Sequence, residues 1–293
     1  MLAQRDSKLE AALSAGLSGR FGRPVYAFER VGSTMDVAHE LAAAGAGEGT
    51  LVWAARQEQG RGRLGRAWAS PEGGIYFSFI LRPVRPAAEA PQLSLVAGLA
   101  AAEATRELTG LAPSVRWPND LLMDGKKVAG ILAEGSKLEA GGRSLSLAPR
   151  ALSLQLVVVI GIGINVTTDP AHLPETATSL VAAMTSSPPG PTLARAGAGE
   201  PRAPNSELAF RLTATLCRHF DRWYDVWTAR GFGPIREALR PRMALFGQPV
   251  HITAGSEHLE GTAADLDESG RLLVRLDSGL LRAFEVGEVT LLR

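Results

Sequence analysis

Four short stretches of this 293-residue chain concentrate residue types that can bind or hold charge. The densest is Gln57-Glu58-Gln59-Gly60-Arg61-Gly62-Arg63-Leu64-Gly65-Arg66-Ala67-Trp68, where three glycines alternate with three arginines. Glycine lets a backbone approach a ligand closely, and arginine offers a permanently charged fork of donors suited to carboxylate or phosphate. A loop of this kind is suited to wrapping an anion, while composition alone equally allows a solvated Arg/Gly loop. The second stretch holds Trp117-Pro118-Asn119-Asp120 and Lys126-Lys127. Pro118 cannot donate to a ladder, so the backbone must leave the sheet there and expose Asn119 and Asp120. Lys126 reads as a solvated turn residue. Lys127 adjoins the buried-strand residues Val128, Ala129, Ile131 and Leu132, and Gly130 allows a close approach to that strand. The third is Gly161-Ile162-Gly163-Ile164-Asn165, whose alternation puts two missing side chains and one amide on a single face, as in a ligand floor. The fourth is Ser33-Thr34 at a helix start. Asp36 completes a pattern like a capping box, so capping is the favoured reading there and ligand binding the second.

The elements that must position these residues follow from periodicity. Leu9, Leu13 and Leu17 share a face of a short helix, and the segment from Pro24 to Glu29 alternates as a strand. The helix from Ser33 has Val37, Ala38, Leu41 and Ala44 as its apolar face and Gly45 as its stop. The arginine loop lies between apolar runs 51–55 and 74–81. Residues 93–108 form an Ala-rich helix ended by Gly110 and Pro113. Asp124-Gly125 marks a hairpin. Residues 135–153 read as an extended connection and 154–166 as a continuous apolar strand. Residues 185–205 read as a flexible loop and 206–230 as an amphipathic helix. After Pro241, short alternating strands separated by Gly255, Gly270 and Gly279 suggest a small β-barrel, too small to hold the chemistry above. The chain thus divides into an N-terminal helix or extension (1–22), a large domain (23–243) and a small one (244–293).

Composition narrows the classes. A formal net charge of +1 supplies no general field for nucleic acid. The single Cys217 permits no intramolecular disulfide and reads as a small buried hydrophobe. No apolar run reaches the length of a membrane span, and the N-terminus is not a signal peptide, so a cytoplasmic protein is expected. His219 has no cysteine or histidine at metal spacing and reads as structural; no metal-ligand set is put forward.

In this order and spacing, Ser33-Thr34, Gln57, the Gly60–Arg66 loop, Trp117-Pro118-Asn119-Asp120, Lys127-Val128-Ala129-Gly130-Ile131 and Gly161–Asn165 resemble the biotin–protein ligases. The resemblance covers roughly residues 25–293. Two positions depart from it: Met35 stands where the family often has Asn, and Arg116 where it often has Lys. The resemblance implies an α+β fold, with a class II synthetase-like mixed-sheet catalytic domain carrying helices on the sheet and a C-terminal SH3-like barrel. It implies a two-step reaction. Biotin attacks the α-phosphate of ATP with Mg²⁺ present, giving biotinyl-5′-AMP and pyrophosphate, and a lysine of a biotin carboxyl carrier domain then displaces AMP.

On that reading Ser33, Thr34, Gln57, Arg61, Gly62, Arg63, Lys127, Gly130 and Gly161 line the biotin site. Arg63, Arg66, Trp68, Asn119, Asp120, Lys127 and Asn165 contact the adenylate, Trp68 by stacking on adenine. Arg63 and Lys127, with Arg61, supply fixed charge against the developing negative charge. The loop closes over a hydrolysable mixed anhydride, mobile when empty and ordered by ligand. Three alternatives stand beside this reading. A lipoate–protein ligase is disfavoured by the Gly-Arg-Gly-Arg and Trp-Pro-Asn-Asp motifs. A biotin-sensing DNA repressor is disfavoured because about twenty residues precede the first core strand, too few for three helices. An RNA binder is disfavoured by the neutral charge. Acceptor identity and the choice between monomer and homodimer stay open.

Overall fold

The computed structural model describes residues 4–139, 154–186, 204–285 and 287–292. Helix α1 (Ser7–Gly16) is capped by the Asp6 carboxylate, which accepts from the backbone N–H groups of Lys8 and Leu9. Leu13 and Leu17 leave it into the core. Then come β1 (Val25–Val31), α2 (Thr34–Ala43), β2 (Leu51–Gln57), β3 (Gly74–Leu81), α3 (Gln92–Thr109), β4 (Ser114–Arg116), β5 (Asp120–Met123), β6 (Lys126–Glu139), β7 (Leu154–Asn165), α4 (Leu180–Ser186), α5 (Pro204–Arg230) and α6 (Gly233–Leu239). The strands form one seven-stranded sheet in the order β1-β2-β3-β7-β6-β5-β4. The β1–β2 pair, joined through α2, is parallel and the other pairs are antiparallel. This is the expected mixed sheet with helices on it.

Strand alternation decides what each face of the sheet carries. On β7, Val158, Ile160, Ile162 and Ile164 join the large core, with Ile75, Phe77, Phe79 and Leu81 of β3 and the buried sides of α3 and α5. The opposite face carries Val157 and Val159 under α2, then Gly161 and Gly163, where α2 has ended. The apolar run therefore changes from valine to glycine where helix cover gives way to the site. Helix α3 lies between the sheet and α5, which explains its run of Ala and Leu with almost no exposed position before Glu103. Gly110 closes it in the left-handed conformation at φ 73°.

Helix α2 buries Met35, Ala38 and Ala42, while Val37 and Leu41 are half-buried and Ala44 exposed; its inward stripe is set by Thr34 and Met35 entering the site. Trp117-Pro118-Asn119 is the turn of a hairpin, with Arg116 paired to Asp120, and does not interrupt a single strand. The Asp124-Gly125 turn is as expected, with φ 49° and 78°. Strand β6 runs to Glu139, paired there with Leu154, so the expected connection over 135–153 is partly strand; 140–153 lie outside the described residues. Of the expected loop 185–205, Thr185 and Ser186 close α4 and Pro204 and Asn205 open α5; 187–203 lie outside the described residues.

The C-terminal part is a five-stranded antiparallel sheet of β8 (Pro249–Ala254), β9 (Glu257–Leu266), β10 (Leu272–Arg275), β11 (Leu281–Phe284) and β12 (Glu288–Leu291), in the order β11-β10-β9-β8-β12. It is tied to the large sheet through the Trp117 indole, which donates to the Gly270 carbonyl at 3.0 Å. Cys217 is buried, and that burial pushes its thiol pKa up, as fits a small hydrophobe. His219 is held between Glu103 and Glu107, a structural contact joining α5 to α3.

Candidate active site

A cavity of about 270 Å³ opens on the glycine face of the sheet. One end is polar and neutral. The first turn of α2 enters it, and there the capping expectation fails: the Ser33 side chain makes no capping bond, and its Oγ is buried without a partner. The Thr34 amide is instead bound by the Gln57 side-chain carbonyl at 2.8 Å. Thr34 Oγ1 lies 3.1 Å from the same oxygen and 2.9 Å from Ser78 Oγ, and Gln57 Nε2 donates to Ser70 Oγ at 2.9 Å. This relay fixes Gln57 and leaves the Ser33 hydroxyl facing the cavity. A buried hydroxyl without a partner costs about 1–3 kcal/mol, and a ligand can recover that cost.

The glycine floor is present, but two side chains cover it. A β-carbon at Gly161 would lie 2.6 Å from the Met35 sulfur, and one at Gly163 2.4 Å from Trp68 Nε1. At Gly130, which pairs with Gly163 across the strands, it would lie 2.9 Å from the Trp68 ring. The glycines thus make room for Met35 and Trp68, and a ligand would rest on those two. Trp68 Nε1 is buried without a partner. Asn165 shares the glycine face but lies off the cavity wall: its Nδ2 donates to the Thr178 carbonyl at 3.1 Å.

The other end is cationic. Lys127 Nζ lies 2.6 Å from Asp120 Oδ1 and 5.1 Å from the Trp68 ring centre. Arg116 Nη2 takes the second oxygen of Asp120 at 2.6 Å, so this departure from the expected lysine still faces the cavity. In the arginine loop each guanidinium has its own partner. Arg61 is bound by Glu134 and Asp36, and Arg66 pairs with Glu288 of β12. That hydrogen bond to Glu288 raises the Arg66 pKa. Arg63 has neutral partners, donating from Nη1 to Asn119 Oδ1 at 3.2 Å and to the Gly287 carbonyl at 3.4 Å. Burial, with the neighbouring Arg66, pulls its pKa down against the opposing pull of Asp120 and Glu288. Counting the carboxylates that pair with them, the five cations Arg61, Arg63, Arg66, Arg116 and Lys127 meet four, Asp36, Glu134, Asp120 and Glu288, which leaves an excess of one positive charge.

Two family models match the chain: the biotin/lipoate A/B protein ligase family over residues 27–145, and the biotin protein ligase C terminal domain over 245–292. The bifunctional ligase/repressor BirA of Bacillus subtilis is 32% identical over 286 residues, spanning 97% of this chain and 79% of that protein. The chain belongs to the biotin protein ligase family. The biotin--[acetyl-CoA-carboxylase] ligase of Paracoccus denitrificans is 33% identical over 78% of this chain and 85% of its own length. The biotin protein ligase of Aquifex aeolicus, solved in complex with biotin and ATP, is similar at TM-score 0.69 and 28% identity, covering 92% of this chain and 99% of that one.

For this ligase, the residues that sequence reasoning missed are Gly287 to Thr290, which bring the small C-terminal sheet onto the cavity wall. The small sheet, expected to be too small to hold the chemistry, adds wall residues to the cavity. Their sequence signal is faint, a glycine before a four-residue strand whose partner on the arginine loop is more than two hundred residues away. Residues that could cage Mg²⁺ do not come together. Asp120 and Glu288 are both engaged by cationic side chains, and among the described residues no group of three or more metal-ligating side chains occurs.

Proposed function

We propose that this ligase joins biotin to ATP as biotinyl-5′-AMP and passes the biotinyl group to a lysine on the carrier domain of acetyl-CoA carboxylase or a related carboxylase. The observation that carries this reading is the polarity of one cavity. Ser33, Thr34 and Gln57 form a neutral hydrogen-bonding end, and Lys127 and Arg63 a cationic end, with Met35 and Trp68 as apolar floor between them. Biotin has a neutral ureido ring at one end, an apolar middle and a carboxylate at the other. In the first step a carboxylate oxygen bonds to the α-phosphorus and pyrophosphate leaves. Negative charge develops on the phosphoryl oxygens, and preset charges there stabilise the transition state most effectively.

In the second step the acceptor amine attacks the acyl carbon and AMP leaves with the bonding pair. The amine sheds its proton to solvent, since both oxygens of Asp120 are already held by Lys127 and Arg116. A second cavity of about 610 Å³ shares Arg63, Pro118 and Asn119 as a wall and reaches Ala87, Pro91 and Ser269 on its far side. An acceptor lysine approaching from that side would have to pass Arg63, Pro118 and Asn119.

The test is ATP–pyrophosphate exchange with biotin, with lipoate and with neither. Exchange that depends on biotin supports the reading. Equal exchange with lipoate would make the chain a lipoate ligase, and exchange with neither would remove acyl-adenylate chemistry.

Some relatives are named as repressors as well as ligases. Here α1 is built into the core through Leu13 and Leu17, and the formal net charge is +1. This chain is expected not to bind DNA specifically. A sequence-specific gel shift that survives physiological salt, with biotin and ATP present, would overturn that expectation.

A further inference from the structure

Arg61 was expected to face the substrate's charge, and its surroundings give it a different task. Its Nη2 lies 2.9 Å from Glu134 Oε2 on β6 and 3.2 Å from Asp36 Oδ1 on α2. His39, one turn after Asp36, reaches the same Glu134 oxygen at 2.9 Å. Glu134 stands on β6 two and four residues beyond Leu132 and Gly130, so all three share the face that carries the cavity. Arg61 therefore bridges α2 and β6, the two elements that flank the cavity beyond the glycine floor.

The rest of the loop follows that anchor. Arg61 bridges to Ala67, the Gly62 N–H donates to the Arg66 carbonyl at 2.7 Å, and the Trp68 N–H donates to the Gly60 carbonyl at 2.8 Å. The loop is thus closed on itself by backbone bonds, and holding Arg61 holds both Trp68 on the glycine floor and Arg63 at the cationic end.

We propose that Glu134 is a positioning residue of this ligase: through Arg61 it sets the arginine loop over the cavity. The proposal rests on the biotin-ligase reading and extends it to a residue off the cavity wall. Asp36 assists as the second acceptor. A glutamate that served only to brace β6 against α2 would act through His39 and leave the loop alone.

The experiment is a double-mutant cycle on the full chain, read by the KM for biotin, the KM for ATP and the release rate of the adenylate. Wild-type biotin-dependent exchange is measured first; its absence would refute the ligase reading and this proposal with it, whereas exchange in the wild type with no effect of Glu134→Ala would refute this proposal alone. Glu134→Ala is expected to raise the KM for biotin, the KM for ATP and the release rate roughly tenfold, within the range of coupling between contacting residues. Arg61→Ala should do the same, and the double variant should be no worse than Arg61→Ala alone. Glu134→Asp should restore part of the loss, and His39→Gln should stay within twofold of wild type. Multiplying effects in the double variant, or a His39→Gln loss equal to that of Glu134→Ala, would overturn the proposal. Should Glu134→Ala fail to fold, Glu134→Gln carries the same cycle, since it keeps the shape and removes the charge.

Discussion

Lys127→Ala is expected to lower kcat for biotin-dependent pyrophosphate exchange by about 10²–10³-fold, the usual loss when one preset charge-stabilising group is removed. The chain should stay folded. The Lys127 N–H donates to the Thr176 carbonyl at 2.8 Å, and its carbonyl accepts from Thr178 N–H at 2.9 Å, so both backbone groups are bound independently of the side chain. Asp120 would not be orphaned either, because Arg116 holds its second oxygen at 2.6 Å. The effect should therefore fall on the chemical step, with a thermal midpoint close to that of wild type. Lys127→Arg keeps the charge but replaces a compact ammonium by a planar fork that must fit between Asp120 and the Trp68 ring, so it should recover little of the rate. Wild-type exchange in Lys127→Ala would remove Lys127 from the mechanism, whatever its position.

The reasons these residues could be found in the sequence, and others could not, are physical. Strand alternation is local. The change from Val157 and Val159 to Gly161 and Gly163 on one face of β7 marks where helix cover ends, and it can be read without knowing any partner. The Asp124-Gly125 turn and the glycine after α3 are local in the same sense. What failed depended on distant partners. Ser33 has the composition of a cap, but the amide beyond it is claimed by Gln57, twenty-three positions away, which leaves the hydroxyl to the cavity. Asn165 lies on the predicted face, yet it ends the strand and the Thr178 carbonyl draws its amide away. The carboxylates that hold Arg61 and Arg66 come from α2, β6 and β12, none of them adjacent to the loop in sequence. Alternation assigned the glycines to a bare floor; that Met35 and Trp68 cover it emerges only when three strands and a loop are assembled.

Arg63→Ala is expected to leave the fold intact and release the adenylate on the order of 10²-fold faster, corresponding to about 2–5 kcal/mol for losing one partner of a desolvated charged contact. Of the loop arginines, Arg61 and Arg66 are already matched by carboxylates. Arg63 is half-buried and has one side-chain amide and one backbone carbonyl as partners. A phosphate would complete its shell without breaking an ion pair, so its contribution should be larger with the adenylate bound than without it. Released biotinyl-5′-AMP acylates whatever amine it meets, so the variant should biotinylate bystander lysines at the expense of the carrier domain. Asn119 and Gly287 would lose a donor, but both lie on the cavity wall, where water can replace it. Two measurements decide the matter together: dissociation of the intermediate in both proteins, and hydrogen exchange of the loop amides with and without biotin and ATP. The Gly62 and Trp68 amides are bonded within the loop and should already be partly protected in the empty enzyme, with a further gain on binding that Arg63→Ala reduces. Unchanged dissociation in the variant, together with equal protection in both states, would show that the loop does not retain the intermediate and that this task falls to Lys127 and the C-terminal sheet.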